Sequence, residues 1–191
     1  MSASFSLLRT FRRLSLLVCL SSLFVSPLAG AADPRDGVAV EGGYGYHVDM
    51  ARFTLTRDWQ APILTGERWA ISPYWDLALG HWNPHNPAGG NHAVTDVGVT
   101  PVFRVTERER SAIAPYAELA VGLHYISDHR IYTGRDMSTH FQFGDHAGVG
   151  VSFGEKQAFD LGLRLQHLSN AGLKNPNPGI NFYQVRAAYH F

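Results

Sequence analysis

The chain has 191 residues, of which 45% are apolar, 12% aromatic and 17% charged. This length accommodates one domain rather than two, and the composition excludes a disordered chain or a coiled coil. The 16 basic and 16 acidic residues cancel. Because the basic residues form no stripe, the charge pattern gives no indication of nucleic-acid binding.

The N-terminal segment has the pattern of a secretory signal peptide. Three arginines precede an apolar run over residues 14–25, and small residues follow it up to Ala31. The run is too short for a membrane-spanning helix, which needs about 20 residues. We therefore predict a signal peptide over residues 1–31 and one domain over residues 32–191. The single cysteine, Cys19, would leave with the signal peptide, which excludes disulfides and a cysteine nucleophile from the mature chain.

The rest of the sequence alternates between apolar and polar residues, and Gly, Pro, Asn and Asp separate the alternating runs. No segment behind the signal peptide shows a convincing helical period. The pattern predicts an all-β domain of eight strands, at residues 37–47, 51–60, 68–82, 93–106, 112–127, 138–154, 157–170 and 181–191.

The length of these runs favours a membrane barrel. Several have ten or more residues, which is about twice the usual strand length and suits a tilted strand crossing a bilayer. Alternation alone fits a soluble sandwich equally well, because either fold has one apolar and one mixed face. Aromatic residues near strand ends favour the barrel as interface girdles: Trp59, Trp69, Trp82 and Tyr125.

The C-terminus also favours a barrel in the outer membrane. The last strand ends on Phe191, and this ending resembles the assembly signal of Gram-negative outer-membrane barrels. The resemblance implies the outer-membrane assembly machinery as a partner. We therefore predict an eight-stranded antiparallel up-and-down transmembrane β-barrel.

Charged residues of the mixed face are expected to form ion pairs in the lumen, because buried charges need partners. His124 and His146 are expected to join this polar network. The charged residues are Arg52, Asp76, Asp96, Arg104, Glu118, Arg164 and Arg186. Three other histidines, whose spacing fits no compact set of metal ligands, are expected to be solvated: His81, His85 and His92.

Loop lengths predict the orientation of the barrel. The connections at residues 106–111 and 154–157 are short, whereas those at 83–92, 128–137 and 171–180 are longer. Outer-membrane barrels have short periplasmic turns and long external loops. The longer connections are therefore predicted to lie outside the cell, with the strand over 157–170 running outward.

His167 and Ser169 stand at the outward end of that strand. Residues two apart on a strand share a face, with Cα atoms about 7 Å apart, so an imidazole there could accept the proton of the hydroxyl. Both continue the apolar series that includes Leu163 and Leu165, so the pair is predicted to face the membrane. Asn181 has the same orientation on the last strand and is predicted to lie across from Ser169.

The hairpin containing these residues resembles the lipid A 3-O-deacylases of the PagL type. The resemblance rests on His-x-Ser-Asn at residues 167–170 and Lys-x-Pro-Asn-x-Gly at residues 174–179. It extends from His167 to Tyr183 and is supported elsewhere by size, signal peptide and strand number. It implies a serine esterase, without metal or cofactor, that cleaves the 3-linked 3-hydroxyacyl ester of lipid A in lipopolysaccharide. The active site is expected over residues 164–183.

The family implies a role for each matching residue. By resemblance, Ser169 is the nucleophile, His167 the general base, and Asn170 a contributor to the oxyanion site. Gly172 is a further candidate for that site through its backbone amide, and Lys174 could contact a phosphate of lipid A. The sequence departs from the family at Asn181, where the family often has Glu. An amide brings no charge, but Asn181 is predicted to accept a hydrogen bond from His167 and to orient it.

Two other functions stay open from the sequence. A non-catalytic outer-membrane barrel could serve adhesion or membrane integrity, and it would leave the mass of lipid A unchanged. A soluble β-barrel could bind a small ligand in its lumen, and it would be a monomer without detergent.

Overall fold

The computed structural model describes residues 35–109 and 111–191. The predicted signal peptide lies outside the described residues. The described part contains eleven strands and one 3-10 turn at Glu155–Gln157. In chain order the strands are β1 (Asp36–Gly45), β2 (Val48–Asp58), β3 (Leu64–Thr65), β4 (Trp69–Pro84), β5 (Val94–Glu107), β6 (Ile113–Ile126), β7 (Arg130–Tyr132), β8 (Arg135–Asp136), β9 (Phe141–Phe153), β10 (Phe159–Ser169) and β11 (Ile180–His190). In this part of the chain no helix is both long and apolar enough to span a membrane.

Eight of these strands form a closed antiparallel barrel. Each pairs with its neighbours in chain order, in the sequence β1, β2, β4, β5, β6, β9, β10 and β11. The ring closes between β11 and β1, where Tyr183 pairs with Tyr44. The short β3 extends the sheet beside β4, and β7 and β8 form a small hairpin between β6 and β9. The predicted eight-stranded up-and-down barrel is confirmed.

Three longer connections, residues 85–93, 127–140 and 170–179, lie at one end of the barrel, which we call the loop end. The opposite end, with residues 108–109, 111–112 and 154–158, is called the turn end. The connections from β1 to β2 and from β2 to β4 depart from the predicted alternation of long loops at one end and short turns at the other. Residues 46–47 make a two-residue turn at the loop end, whereas β2 and β4 are joined at the turn end by residues 59–68. His47 adopts a left-handed backbone with φ of 58°, and this permits the tight turn and an earlier start of β2.

The outer face of the barrel is apolar. On β10 the odd-numbered side chains are exposed and the even-numbered ones are buried, and Leu163 is 59% exposed. An outer face of exposed apolar side chains is compatible with contact to lipid acyl chains and not with contact to water, which argues against the soluble barrel. Trp69 and Tyr125 lie on this face as predicted. The prediction for Trp82 is wrong, because this residue points into the lumen, is 0% exposed and packs against Phe182.

The middle of the lumen is filled by ion pairs. Arg164 lies 2.6 Å from Glu41, 2.7 Å from Glu118 and 3.3 Å from Asp76. A narrow barrel leaves space for side chains only, so each buried charge finds its partner among the other strands. The lumenal position of the predicted charges is confirmed by further pairs: Arg52 with Asp96, Arg104 with Glu118 and Asp160, and Arg186 with Glu41.

The two histidines that were predicted to join this network, His124 and His146, differ in their hydrogen bonds. His124 Nδ1 lies 2.8 Å from Asp96 Oδ1, as expected for a member of the network. His146 is buried as well, but its Nε2 is 3.8 Å from Glu118 and has no hydrogen-bond partner among the described residues.

An apolar cluster closes the lumen at the loop end. It includes Leu168 on β10, Ile180 on β11 and Met137 from the loop between β6 and β9. Its other members are Val48, Met50, Trp82, Val94, Ile126, Ile131, Tyr132 and Phe182. Because Leu168 and Ile180 are fixed in this cluster, the outward-facing residues beside them have a rigid base.

Candidate active site

The pairing of β10 with β11 places His167 beside Asn181. These two residues are direct partners in the antiparallel register, as are Leu168 and Ile180. Both side chains lie on the outer face, because Leu168 and Ile180 turn inward. The prediction that Asn181 lies across from Ser169 is wrong: Ser169 is the last residue of β10, and its partner is Phe143 on β9.

The imidazole of His167 is held by one short hydrogen bond. Its Nδ1 lies 2.6 Å from the Oδ1 of Asn181. An amide oxygen only accepts hydrogen bonds, so this contact assigns the proton to Nδ1. The lone pair of Nε2 is then available as a base.

Gly179 provides the space in which this imidazole lies. A Cβ atom at this position would be 2.6 Å from Cε1 and 3.1 Å from Nε2 of His167. The backbone of Gly179 is also left-handed, with φ of 58°. The position therefore requires glycine for two reasons, the close approach and the backbone conformation.

Ser169 lies on the same outer face and is half-buried. Its Oγ accepts a hydrogen bond of 3.4 Å from the backbone amide of Ala171. Within residues 35–109 and 111–191 it makes no hydrogen bond with His167. Proton transfer between the two therefore requires the hydroxyl and the imidazole to come within hydrogen-bond distance.

Asn170 is fully buried and organises the connection between β10 and β11. Its side-chain amide donates to the carbonyl oxygens of Met137 and Lys174, at 2.9 and 2.8 Å. Its Oδ1 accepts from the amide of Gly172 at 2.9 Å. These bonds commit the side chain to the loop, so the oxyanion role predicted for Asn170 and Gly172 stays a prediction. The side chain of Lys174 is exposed at the loop end.

The loop between β6 and β9 supports this connection. Ser138 Oγ donates to the carbonyl of Pro176 at 2.7 Å, and Arg135 Nη1 donates to the carbonyl of Gly179. Sequence reasoning missed both residues, because a contact between two loops leaves no periodic signal in the chain.

Asp145 is another residue that sequence reasoning missed. It is the partner of His167 on β9 and lies exposed on the outer face. The sequence pattern that could have revealed Asp145 is a carboxylate on the apolar face of a strand, where a charge is energetically unfavourable. Its position adds negative charge to the surroundings of the imidazole.

Groups of three or more His, Cys, Asp and Glu side chains that could hold a metal ion are absent from the described residues. The three histidines expected to be solvated, His81, His85 and His92, are exposed, and the last two lie 3.8 Å from Asp49 and 3.0 Å from Asp128.

Fold and side chains together define a transmembrane β-barrel with a serine and an oriented histidine on its lipid-facing surface. Residues 45–190 match the family described as Lipid A 3-O-deacylase (PagL). The chain belongs to this family.

Relatives and a solved structure agree with this assignment. The chain is 31% identical to the lipid A deacylase PagL of Pseudomonas aeruginosa over 172 residues, which is 90% of this chain and 93% of the relative. It is 29% identical to the lipid A deacylase PagL of Bordetella bronchiseptica, over 85% of this chain and 88% of the relative. A crystal structure of the outer membrane enzyme PagL has a TM-score of 0.71 at 25% identity, over 80% of this chain and 98% of that chain.

Proposed function

We propose that this protein is an outer-membrane lipid A deacylase that hydrolyses the 3-linked 3-hydroxyacyl ester as a serine esterase. One observation carries the proposal: Asn181 orients the imidazole of His167 beside Ser169 on the apolar outer face. A water-soluble substrate would not approach this surface. A lipid of the outer leaflet lies against it. The activity named for the relatives is the one that this placement suits.

The reaction is an acyl transfer in two steps. Ser169 Oγ attacks the ester carbonyl while Nε2 of His167 takes the hydroxyl proton. The proton then passes to the sugar oxygen as the ester bond breaks, which leaves the acyl group on Ser169. A water molecule, deprotonated by the same imidazole, attacks this acyl-enzyme and releases the fatty acid and the free serine.

The oxyanion that forms in each step needs hydrogen-bond donors. The backbone amide of Ala171 already points at Ser169 Oγ, and it becomes available when Ser169 rotates towards His167. Of the residues assigned by resemblance, Asn170 and Gly172 shape the loop that presents this amide. Lys174, which is exposed at the loop end, would contact a phosphate group of lipid A.

The proposed location in the outer membrane follows from the apolar outer face of the barrel. The loop end would lie outside the cell, so that the site meets lipid A in the outer leaflet. The signal peptide over residues 1–31 would export the chain. Strand β11, together with the exposed Phe191 that follows it, would be recognised by the outer-membrane assembly machinery.

Mass spectrometry of lipid A from cells that express the protein tests the proposal. Wild type is expected to release one 3-hydroxy fatty acid per lipid A, and Ser169→Ala is expected to lose about 10³-fold or more of this activity. Ser111→Ala, at the turn end, is the matched control and is expected to keep it. Heat-modifiable migration in gels checks that each variant is folded. An unchanged lipid A mass with folded wild type would contradict the proposal and favour a non-catalytic barrel.

A further inference from the structure

A cavity of about 650 Å³ lies among the three longer loops at the loop end. Loop 127–140 contributes the hairpin of β7 and β8, loop 85–93 contributes His92, and loop 170–179 contributes residues 176–178. Two arginines line it, Arg130 and Arg135. This volume is within the range of sites that hold small organic ligands, which extends from about 300 to 1,000 Å³.

Arg135 is held rigidly at the edge of this cavity. Its Nε donates to Tyr132 Oη at 2.6 Å, and its Nη1 donates to the carbonyl of Gly179. Its guanidinium carbon also lies 5.6 Å from the centre of the Tyr132 ring. Nη2 makes no hydrogen bond with any residue of the described ranges. A fixed guanidinium with unused N–H donors is well suited to bind an anionic oxygen, because little side-chain conformational entropy is lost on binding.

Arg130 stands across the short hairpin, in register with Asp136. Its side chain is 65% exposed, and its closest charged partner is Asp128 at 3.8 Å. It therefore adds a second positive charge without a tight ion pair. Two such groups at one cavity form the usual arrangement for binding a phosphate.

The nearby carboxylates are already compensated by other groups. Asp136 accepts hydrogen bonds from the amide of Ser138 at 2.7 Å and has His129 at 2.7 Å. Asp128 accepts from the amide of Arg130 at 2.9 Å and has His92 at 3.0 Å. The arginines thus keep their donors for a ligand.

Backbone hydrogen bonds keep the sides of the cavity in place. Thr133 donates to the carbonyl of Gly89 at 3.1 Å, and His92 donates to that of Ile131 at 3.0 Å. Gly90 approaches Thr133 so closely that a Cβ atom would lie 2.5 Å from its hydroxyl. The cavity is therefore formed before any ligand binds.

Hydrogen bonds link one side of the cavity to the proposed catalytic site. Asn177, which lines the cavity, accepts a hydrogen bond of 3.1 Å from the amide of Asn170, the residue after Ser169. Arg135 holds Gly179, whose backbone lies against His167. A ligand with its acyl chains along β10 and its polar part above the loop end would reach both places.

We propose that this cavity binds a phosphate of the sugar headgroup of lipid A, through the guanidinium groups of Arg130 and Arg135. The inference rests on the proposed deacylase function and assigns a separate headgroup subsite to it. The subsite would anchor the substrate while the ester lies at Ser169. It would also make the affinity depend on the phosphorylation of the lipid.

Binding to the folded Ser169→Ala protein in detergent tests this subsite without turnover. The dissociation constant is measured for bisphosphorylated lipid A, for its dephosphorylated form and for inorganic phosphate. We expect the bisphosphorylated lipid to bind about tenfold more tightly than the dephosphorylated one, as one charge-assisted contact would give. Adding Arg130→Gln should remove most of this preference, and Arg130→Lys should retain part of it. Arg68→Gln is the matched control, because this exposed arginine pairs with Glu107 at the turn end.

The outcomes separate the subsite from the catalytic proposal. Equal binding of both lipids, or a preference that survives Arg130→Gln, would overturn the subsite even if wild type releases fatty acid. Inorganic phosphate that binds as tightly as the lipid would also overturn it, because the cavity would then take the free ion. A preference lost with Arg130→Gln would support the subsite even if wild type failed to deacylate, which would contradict only the proposed function.

Discussion

Asn181 positions the imidazole of His167 but brings no charge to it. The hydrogen bond of 2.6 Å between them selects the tautomer in which Nε2 is the base. In the proposed reaction an imidazolium forms and is stabilised by a negative partner, whereas an amide provides only a dipole. A carboxylate on the same face is that of Asp145, the cross-strand partner of His167 on β9.

Asn181→Asp is expected to raise the turnover number by up to about tenfold, because a charged hydrogen bond stabilises the imidazolium more than a neutral one. The two side chains have the same shape, so the geometry is preserved. The rate of 3-hydroxy fatty acid release from lipopolysaccharide measures the effect. Asn83→Asp adds the same charge elsewhere at the exposed loop end and should change nothing. A slower Asn181→Asp enzyme would show that charge at this position is not limiting.

Gly179→Ala is expected to reduce activity by about 10²-fold or more, since displacing a reacting group by an ångström has such an effect. The new Cβ atom would collide with the ring of His167. Gly89→Ala is the control, because Gly89 also has a left-handed backbone, with φ of 77°, but open space around it. Both variants place an alanine in a left-handed backbone, but only Gly179→Ala also brings a Cβ atom against His167. Equal kinetics for the two folded variants would refute this role of Gly179.

At the scale of elements, the loop between β6 and β9 supports the hairpin of β10 and β11, which carries the proposed catalytic residues. It sends Met137 into the apolar cluster, and Ser138 and Arg135 bind the carbonyls of Pro176 and Gly179. The hairpin of β10 and β11 therefore owes the shape of its connection to a segment some 40 residues earlier in the chain.

The carboxylates of this loop predict its response to acid. The amide of Ser138, followed by His129 and Arg130, lowers the pKa of Asp136. Partial burial would raise the pKa of Asp128, but the amide of Arg130, with His92, Arg130 and His129, holds it below the usual value. A carboxylate with a lowered folded-state pKa contributes stability above the unfolded value of about 3.9, and this contribution is lost as the pH falls through the folded value.

Loop 127–140 is therefore expected to stay ordered from about pH 5 upwards and to loosen below about pH 4. The amide chemical shifts of Ser138 and Arg130, followed by NMR as the pH is lowered, measure the transition. Asp136→Asn removes the titrating group and should abolish the part of the transition seen at Ser138. A loop that loosens well above pH 5 instead would contradict the role of these carboxylates.

At the scale of the whole molecule, the barrel combines a polar interior with an apolar exterior. The ion pair of Arg164 on β10 with Asp76 on β4 connects strands from opposite sides of the lumen, and the apolar cluster closes the lumen at the loop end. The proposed catalytic pair, His167 and Ser169, is outside this interior. We therefore expect stability and activity to depend on different residues.

Glu118→Gln is expected to lower the free energy of unfolding by about 3–5 kcal/mol, because it leaves the buried guanidinium groups of Arg104 and Arg164 undercompensated. Glu107→Gln removes only the surface pair with Arg68 and should lower the free energy of unfolding by less than about 1 kcal/mol. Urea titration of the detergent-folded proteins compares the two. Deacylase activity at low temperature should be retained in both variants. Similar losses would contradict a structural role of the lumenal network.

The sequence was sufficient to predict the number and approximate positions of the eight barrel strands, since alternation and turn residues are local properties of the chain. It also separated the two faces, and the odd positions of β10 do lie outside. The turn at residues 46–47 was misplaced because a left-handed histidine leaves no mark in the pattern. Trp82 was assigned to the outer girdle on its residue type, although its even number already indicated the lumen.

By itself the sequence determined the barrel, the outward direction of His167 and Ser169 and the family, because periodicity and a short motif are written along the chain. Only the tertiary structure decided that Asn181 faces His167 and not Ser169, since this depends on the register set by the connection between β10 and β11. It alone brought Arg135, Ser138 and Gly179 together at one site. Contacts between loops depend on where the barrel places their ends, and no local pattern encodes that distance.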